Sequence, residues 1–192
     1  MKRIFAPLYA LEPIVNKIET ISWLEASESI NWGFTAFSNK KGFAHILRFP
    51  VGTKTFSYRA MKNTYDRFAA ALEAQPALAF SFVIWEAYST QAVKAVPDEA
   101  TAVADRADDM LSAAMMICPP GLGLEGEAEK VGKELRATLV DGGELHAYIN
   151  YAHGDESLKE VYGHQAWRLE KLRKLKKQYD PEQRFGFYSP ID

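Results

Sequence analysis

The sequence has 192 residues, enough for one domain with a single sizeable core, and its 47% hydrophobic and 25% charged residues are ordinary for a globular protein. Its formal net charge of -2 excludes the basic excess that nucleic-acid binding requires, and no apolar run approaches the roughly 20 residues that span a bilayer. Cys118 is the one cysteine, so an internal disulfide is excluded. We therefore expect a single domain over residues 1–192, located in the cytoplasm, with neither nucleic acid nor a membrane as a partner.

The N-terminal part of the chain predicts an arm, a short helix and a strand. The first 30 residues indicate an extended arm through Pro7 and Pro13, followed by a short helix at 23–29. Residues 43–49 are apolar enough for a strand.

A capped helix and a second strand are expected next. Thr55 or Ser57 is a suitable N-cap for a helix that Pro76 ends. Residues 78–88 are rich in aromatic and branched side chains and are short enough for a strand. The apolar face of the helix, at spacings of three and four, is Met61, Tyr65, Phe68, Ala69 and Leu72.

The C-terminal half predicts two more strands and two more helices. Residues 110–118 form an apolar run that two prolines close, and a charged helix is expected at 125–139. Residues 144–151 indicate another strand. A long helix at 157–179 then stops at Asp180.

These elements can be arranged in a parallel or an antiparallel sheet. The helices are unevenly distributed along the chain, and the strands mix polar with apolar residues. Both features favour an α+β fold, with a mostly antiparallel sheet covered by helices on one face and a long C-terminal helix.

Two sequence features, a glycine-rich segment and four histidines, are too weak to predict a nucleotide site or a metal site. Residues 121–126 read G-L-G-L-E-G, but Glu127 and Glu129 nearby would repel a pyrophosphate, so the segment is interpreted as a loop between a strand and a helix. The histidines are scattered in sequence without cysteine or carboxylate ligands beside them, so no metal site is predicted. They are His45, His146, His153 and His164.

Residues 147–154 (AYINYAHG) gather several polar side chains. In a strand, Tyr148 and Asn150 share one face and Tyr151 lies on the other. Phenols beside a cleft can act as general acids or bases. They can equally be ordinary sheet aromatics with their hydroxyls at the rim. The residues alone leave both interpretations open.

Residues 147–185 carry a longer signature. AYINYAHG is followed in order by VYG and by RLEKLRKLKKQYDPEQRF. This resembles the terminal signature of berberine-bridge-enzyme-like FAD-linked oxidases, in which Y-x-N-Y precedes Y-G, an R-L pair and K-x-x-Y-D-P. Segments around 7–13 and 96–106 resemble the same family. The resemblance thus covers essentially the whole chain and begins after the family's flavin-binding half.

The resemblance implies that the sheet covers the reactive ring of a flavin. Tyr151 matches a tyrosine that serves several members as a base, with Tyr148 beside it and Asn150 near the flavin. Many members have Glu or Gln where this sequence has Ser112. By alternation and position, the side chains expected to line an apolar substrate surface with Ser112 are Met110, Ala114, Met116, Trp85 and Val83.

Without the flavin-binding half, we expect no cofactor unless a partner domain supplies FAD. The favoured hypothesis is a flavin-free enzyme that binds a small apolar natural product and guides a non-redox isomerisation or cyclisation, including a pericyclic reaction of the Diels-Alder type. One alternative is the substrate-binding half of a split or truncated FAD-dependent oxidoreductase. The other is a non-catalytic binding or dimerisation module, since the exposed sheet face favours a homodimer.

Overall fold

The computed structural model describes residues 2–30, 42 and 45–192. The chain divides into two compact units, Met1–Phe43 and Ala44–Asp192. Within the part of the chain that the structure describes, no helix is long and apolar enough to cross a membrane.

The first unit contains two short helices, α1 (Lys2–Tyr9) and α2 (Trp23–Ile30). The extended arm predicted through Pro7 is wrong at this point, because Pro7 lies inside α1. Proline has a backbone φ close to the helical value, so a short helix loses only one backbone hydrogen bond there. The predicted helix at 23 is confirmed, and Ser22 and Glu25 cap its start by exchanging two hydrogen bonds.

The second unit is built on one antiparallel sheet. Its strands are β1 (His45–Thr53), β2 (Phe82–Ala87) and β3 (Met110–Cys118), in the order β1-β3-β2. Both pairings are antiparallel, which confirms the predicted α+β class. Helix α4 (Gln91–Lys94) lies in the connection from β2 to β3. Residues 43–44, the start of the first predicted strand, lie outside the described residues.

Two long helices cover one face of this sheet. Helix α3 (Tyr58–Ala74) begins after Ser57, whose hydroxyl accepts a hydrogen bond from the Ala60 amide. Helix α5 (Glu125–Val140) packs against β1 and β3, and α3 packs against α5. The predicted apolar face of α3 is wrong at Tyr65, which is exposed because α5 contacts an adjacent stripe of the helix.

The core lies between the sheet and these helices. Gly132 of α5 is needed there, because a Cβ atom at this position would stand 2.0 Å from the ring of Phe49. The backbone of α5 therefore approaches β1 closely. The buried core residues are Phe49, Leu78, Ala114, Met116, Cys118, Ala128, Val131 and Leu135.

The strand predicted at 144–151 is wrong. The Gly52 amide donates to the His146 carbonyl at 2.7 Å. The Ala147 amide instead donates to the Glu160 carbonyl at 2.8 Å. Because the bonds of adjacent residues go to different elements, the segment forms no strand ladder. Short 3-10 turns lie at Pro76–Leu78, Asp98–Ala100 and Ile149–Tyr151.

The long C-terminal helix is present, but it is divided. Helix α6 (Leu158–Tyr162) stops at Gly163, whose φ of 97° ends the helical path. Helix α7 (Ala166–Tyr179) follows and stops at Asp180, as the sequence predicts. The Asp180 carboxylate accepts hydrogen bonds from two amides beyond the helix end.

Candidate functional site

The two faces of the sheet carry different side chains. Alternate residues of each strand point to opposite sides, so the register assigns every residue to a face. The side covered by α3 and α5, here called the helix face, carries Phe49, Val83, Trp85, Ser112, Ala114 and Met116. The opposite side, here called the second face, carries Arg48, Gly52, Glu86 and Leu111.

The structure places most of the side chains predicted to line the substrate surface on the helix face. Ala114 and Met116 are fully buried in the core, and Val83 packs against it. The Ser112 hydroxyl and the Trp85 indole nitrogen are buried without a hydrogen-bond partner among the described residues. These five side chains lie between the sheet and the helices, away from the cavity described next.

A cavity of about 300 Å³ lies on the second face. Its floor is a row across the three strands, because Gly52 pairs with Leu111 and Leu111 pairs with Glu86. Tyr148 and Tyr151 form one wall, so the structure brings both predicted catalytic residues to the same cavity. Met110, also predicted to line the substrate surface, has the parity of the helix face but lies at the first position of β3 and lines this cavity. Other lining residues are Tyr88, Thr90, Asp105, Asp108 and Asp109.

The two tyrosines lie edge to face, with ring centroids 5.4 Å apart. The Asn150 side-chain amide donates a hydrogen bond to the Tyr148 hydroxyl at 2.6 Å. Burial raises the pKa of Tyr151, and the negative charge of Glu86 raises it further, whereas Arg48 opposes the rise. The Tyr151 phenol therefore keeps its proton at neutral pH and is available as a hydrogen-bond donor.

A carboxylate and histidine pair borders the cavity. His146 Nδ1 lies 3.0 and 3.1 Å from the two oxygens of the buried Asp108 carboxylate. That hydrogen bond raises the pKa of His146. Burial, followed by the charge of Asp108, raises the pKa of Asp105 to about 6. Gly52 makes room for this pair, since a Cβ atom there would stand 2.1 Å from an Asp108 oxygen.

The charged residues of the site are not among those predicted from the sequence. Glu86 is the one charged residue within the apolar segment 78–88. A charged side chain in an otherwise apolar strand is a signal for a functional site, because such side chains are seldom buried. Asp105 and Asp108 belong to a short acidic run and gave no comparable signal. The scattered spacing of the four histidines gives no sequence signal that singles out His146.

Comparisons with known proteins agree with the C-terminal signature. Residues 147–192 match the protein family described as Berberine and berberine like. The FAD-linked oxidoreductase chyH of Penicillium rubens is 34% identical over 189 residues, which are 96% of this chain and 38% of that protein. The chain thus spans well under half the length of this relative.

Solved structures share the fold. A carbohydrate oxidase from Microdochium nivale, in complex with a substrate analogue, superposes with a TM-score of 0.70 at 20% identity, over 99% of this chain and 42% of that one. Wild-type BBE-like 1 of Physcomitrella patens superposes with a TM-score of 0.65 at 19% identity, over 100% of this chain and 42% of that one.

Proposed function

Since this chain belongs to the berberine and berberine-like family of FAD-linked oxidoreductases, whose C-terminal portion it matches, we propose that it forms the substrate-facing part of such an oxidoreductase. The observation that carries the proposal is the cavity on the second face, where Tyr148, Tyr151 and Glu86 converge. Helices cover the other face, so the second face is the side of the sheet that offers polar side chains to a substrate.

The side chains beside the cavity have the chemistry that a flavin ring requires. The Asn150 amide and the Tyr148 hydroxyl supply donors and acceptors of the kind that the polar edge of the ring requires. The G-L-G-L-E-G loop does not fit the pyrophosphate, because Glu125 and Glu127 occupy the first turn of α5. We therefore propose that the nucleotide portion of FAD is bound by a flavin-binding domain and not by the G-L-G-L-E-G loop. When bound, FAD would accept the hydride that the substrate loses.

In this proposal the chain's own residues bind and orient the substrate. The protonated Tyr151 hydroxyl donates a hydrogen bond to a substrate oxygen. If Tyr151 instead takes a proton from the substrate, its pKa has to fall, and Arg48 is the cation that already acts in this direction. The Glu86 carboxylate is a second acceptor on the same floor.

The cavity lining refines the expected substrate. Met110 and Leu111 provide an apolar surface, and the carboxylates of Glu86 and Asp109 provide hydrogen-bond acceptors. We propose a small natural product with an apolar body and at least one hydroxyl or amine donor, in place of a wholly apolar molecule.

A flavin-free isomerisation or cyclisation is the second candidate function. The two phenols that line one cavity can stabilise a negative charge that develops on a substrate oxygen, and this needs no redox cofactor. A non-catalytic module that binds ligand or dimerises through the second face is the third reading.

The test compares the isolated chain with a chimera. In the chimera, this chain replaces the matching C-terminal portion of the FAD-linked oxidoreductase chyH. We expect the chimera to retain FAD through desalting and to show the flavin band in its visible absorbance spectrum, and a substrate to bleach that band under anaerobic conditions. An isolated chain that converts a compound without any change in redox state would overturn the proposal in favour of the second candidate. A folded chimera that retains FAD but accepts no substrate, while the isolated chain binds ligand unchanged, would favour a non-catalytic module.

A further inference from the structure

Next to the cavity, the fold gathers side chains that are distant in sequence. Glu144, His146 and His164 each offer one ligand atom, and these atoms lie within 4.8 Å of one another. The rings of His146 and His164 are 5.5 Å apart, centroid to centroid. Two imidazoles bound to one tetrahedral zinc ion hold their centroids about 5 Å apart, given bonds of about 2.0 Å. We propose that these three residues bind a divalent transition-metal ion such as Zn²⁺.

The protonation of His164 is already the one that a ligand requires. Its Nε2 atom lies 2.9 Å from the Leu145 carbonyl, which only accepts hydrogen bonds, so Nε2 carries the proton. The lone pair is therefore on Nδ1, the atom that lies 3.7 Å from a carboxylate oxygen of Glu144. Metal-binding histidines commonly donate their other N–H to a backbone carbonyl in this way.

His146 is oriented by a carboxylate. Its Nδ1 lies 3.0 Å from Asp108, so Nδ1 donates the hydrogen bond and Nε2 is left with the lone pair of the neutral ring. An Asp–His–metal arrangement of this kind makes the imidazole a stronger ligand. Two backbone hydrogen bonds fix the chain at His146. The Gly52 amide donates to the His146 carbonyl, and the Ala147 amide donates to the Glu160 carbonyl.

Space and charge at the site suit a small dication. A cavity of about 80 Å³ is lined by all three ligands and by Asp105 and Asp108. This is room for one ion with water molecules, each of which takes about 30 Å³. Glu144 and Asp108 together balance a charge of +2. Two positive side chains would repel the ion: Lys54, which lines the cavity, and Arg168, whose charge lowers the pKa of Asp105.

The donor set decides which metals are expected. Two imidazoles with one carboxylate favour zinc, cobalt or nickel over magnesium and calcium, which prefer oxygen ligands. The bound ion would join residues 144–146, just after α5, to His164 between α6 and α7. The loop that it closes carries Tyr148 and Tyr151, so the site would hold the cavity wall in place. This positioning role is independent of any flavin.

The experiment titrates Co²⁺ into the untagged 192-residue chain after chelator treatment, and follows visible cobalt absorbance and the thermal midpoint. We expect one Co²⁺ per chain, a higher thermal midpoint and displacement by Zn²⁺. His164→Gln should weaken binding at least about 100-fold, and Asp108→Asn about 10-fold or more. His45→Gln is the matched control, because His45 lies 3.6 Å from Glu125 without belonging to the cluster, and binding should be unchanged.

The opposite outcomes are equally specific. Absence of saturable binding by the folded chain would overturn the proposal and leave His146 and Asp108 as an ion pair only. Equal binding by the His164→Gln and His45→Gln variants would also overturn it. Circular dichroism checks that His164→Gln is folded. If it is not, Glu144→Gln replaces it, since Glu144 is exposed and its loss should weaken binding without disturbing the core.

Discussion

The helix face and the second face belong to the same strands but serve different purposes. On the helix face, Phe49, Ala114 and Met116 are fully buried against α5. On the second face, Arg48 and Glu86 place charges beside the cavity. Other side chains of the second face, Ala113 and Ile117, are also fully buried. The comparison teaches that strand parity separates core from site only at the end of the sheet where the cavity lies.

The largest effect on stability is expected on the helix face. Phe49→Ala should lower the free energy of unfolding by about 3–5 kcal/mol, because it leaves a cavity between β1 and α5. The matched change at the wall of the cavity is Tyr148→Phe, which keeps the ring and should change stability by less than about 0.5 kcal/mol. Urea denaturation measures both. A Phe49→Ala loss below about 1 kcal/mol would contradict the assignment of the core.

A smaller effect is expected from two glycines of α5. Gly132→Ala should cost about 1–3 kcal/mol, because the new methyl group meets the Phe49 ring. Gly126→Ala in the same helix meets nothing within 4 Å and should stabilise the protein by about 0.5–1 kcal/mol. Thermal unfolding of the two variants separates close packing from helix propensity. The same sign for both changes would contradict the close approach of α5 to β1.

The Asp105 carboxylate of the cavity should lower stability at neutral pH rather than raise it. The pKa of Asp105 is raised to about 6 in the folded protein, whereas an unfolded aspartate has a pKa of about 3.9. The folded state thus binds the proton more tightly, and stability is lost as pH rises from about 4 through 6. Asp105→Asn should flatten this loss and stabilise the metal-free protein above pH 6 by of order 1 kcal/mol. Urea titrations across this pH range measure the effect. An unchanged pH profile would show that Asp105 is not the titrating group.

The smallest effect is expected at Ser112. Its hydroxyl is buried on the helix face without a hydrogen-bond partner among the described residues, so Ser112→Ala removes an unsatisfied polar group. Stability should stay the same or rise by up to about 1 kcal/mol. A loss of more than about 1 kcal/mol, measured by denaturation, would mean that the hydroxyl has a partner.

The sequence predicted the elements better than the faces. Strand β3 has the predicted bounds, because an apolar run ends at a pair of prolines. Of the two caps that the sequence allowed for α3, Thr55 and Ser57, the structure has Ser57. Alternation could not predict which residues of β3 point to which face, because both faces of MLSAAMMIC carry apolar side chains. Leu111 and Ala113 lie on the second face, and Ala114 lies on the helix face.

Two features of the site depend on tertiary structure alone. Residues 144–151 alternate as a strand does, but their backbone groups bond to β1 and to α6, which no local pattern reveals. His146 meets His164 because the helix stops at Gly163, whereas the sequence predicts one continuous helix from 157 to 179. Tyr148 and Tyr151 were predicted as site residues from the resemblance to the family signature and not from the periodicity of the sequence.

The most direct test of the second face as the substrate side is a rate comparison in the chimera with the flavin-binding part of chyH. Stopped-flow absorbance would follow flavin reduction by a substrate of that oxidoreductase in the Tyr151→Phe and Ser112→Ala variants. We expect Tyr151→Phe to slow reduction about 100-fold with unchanged FAD content, and Ser112→Ala to leave the rate unaltered. A slow Ser112→Ala variant beside an unaffected Tyr151→Phe variant would contradict the account and assign the substrate to the helix face.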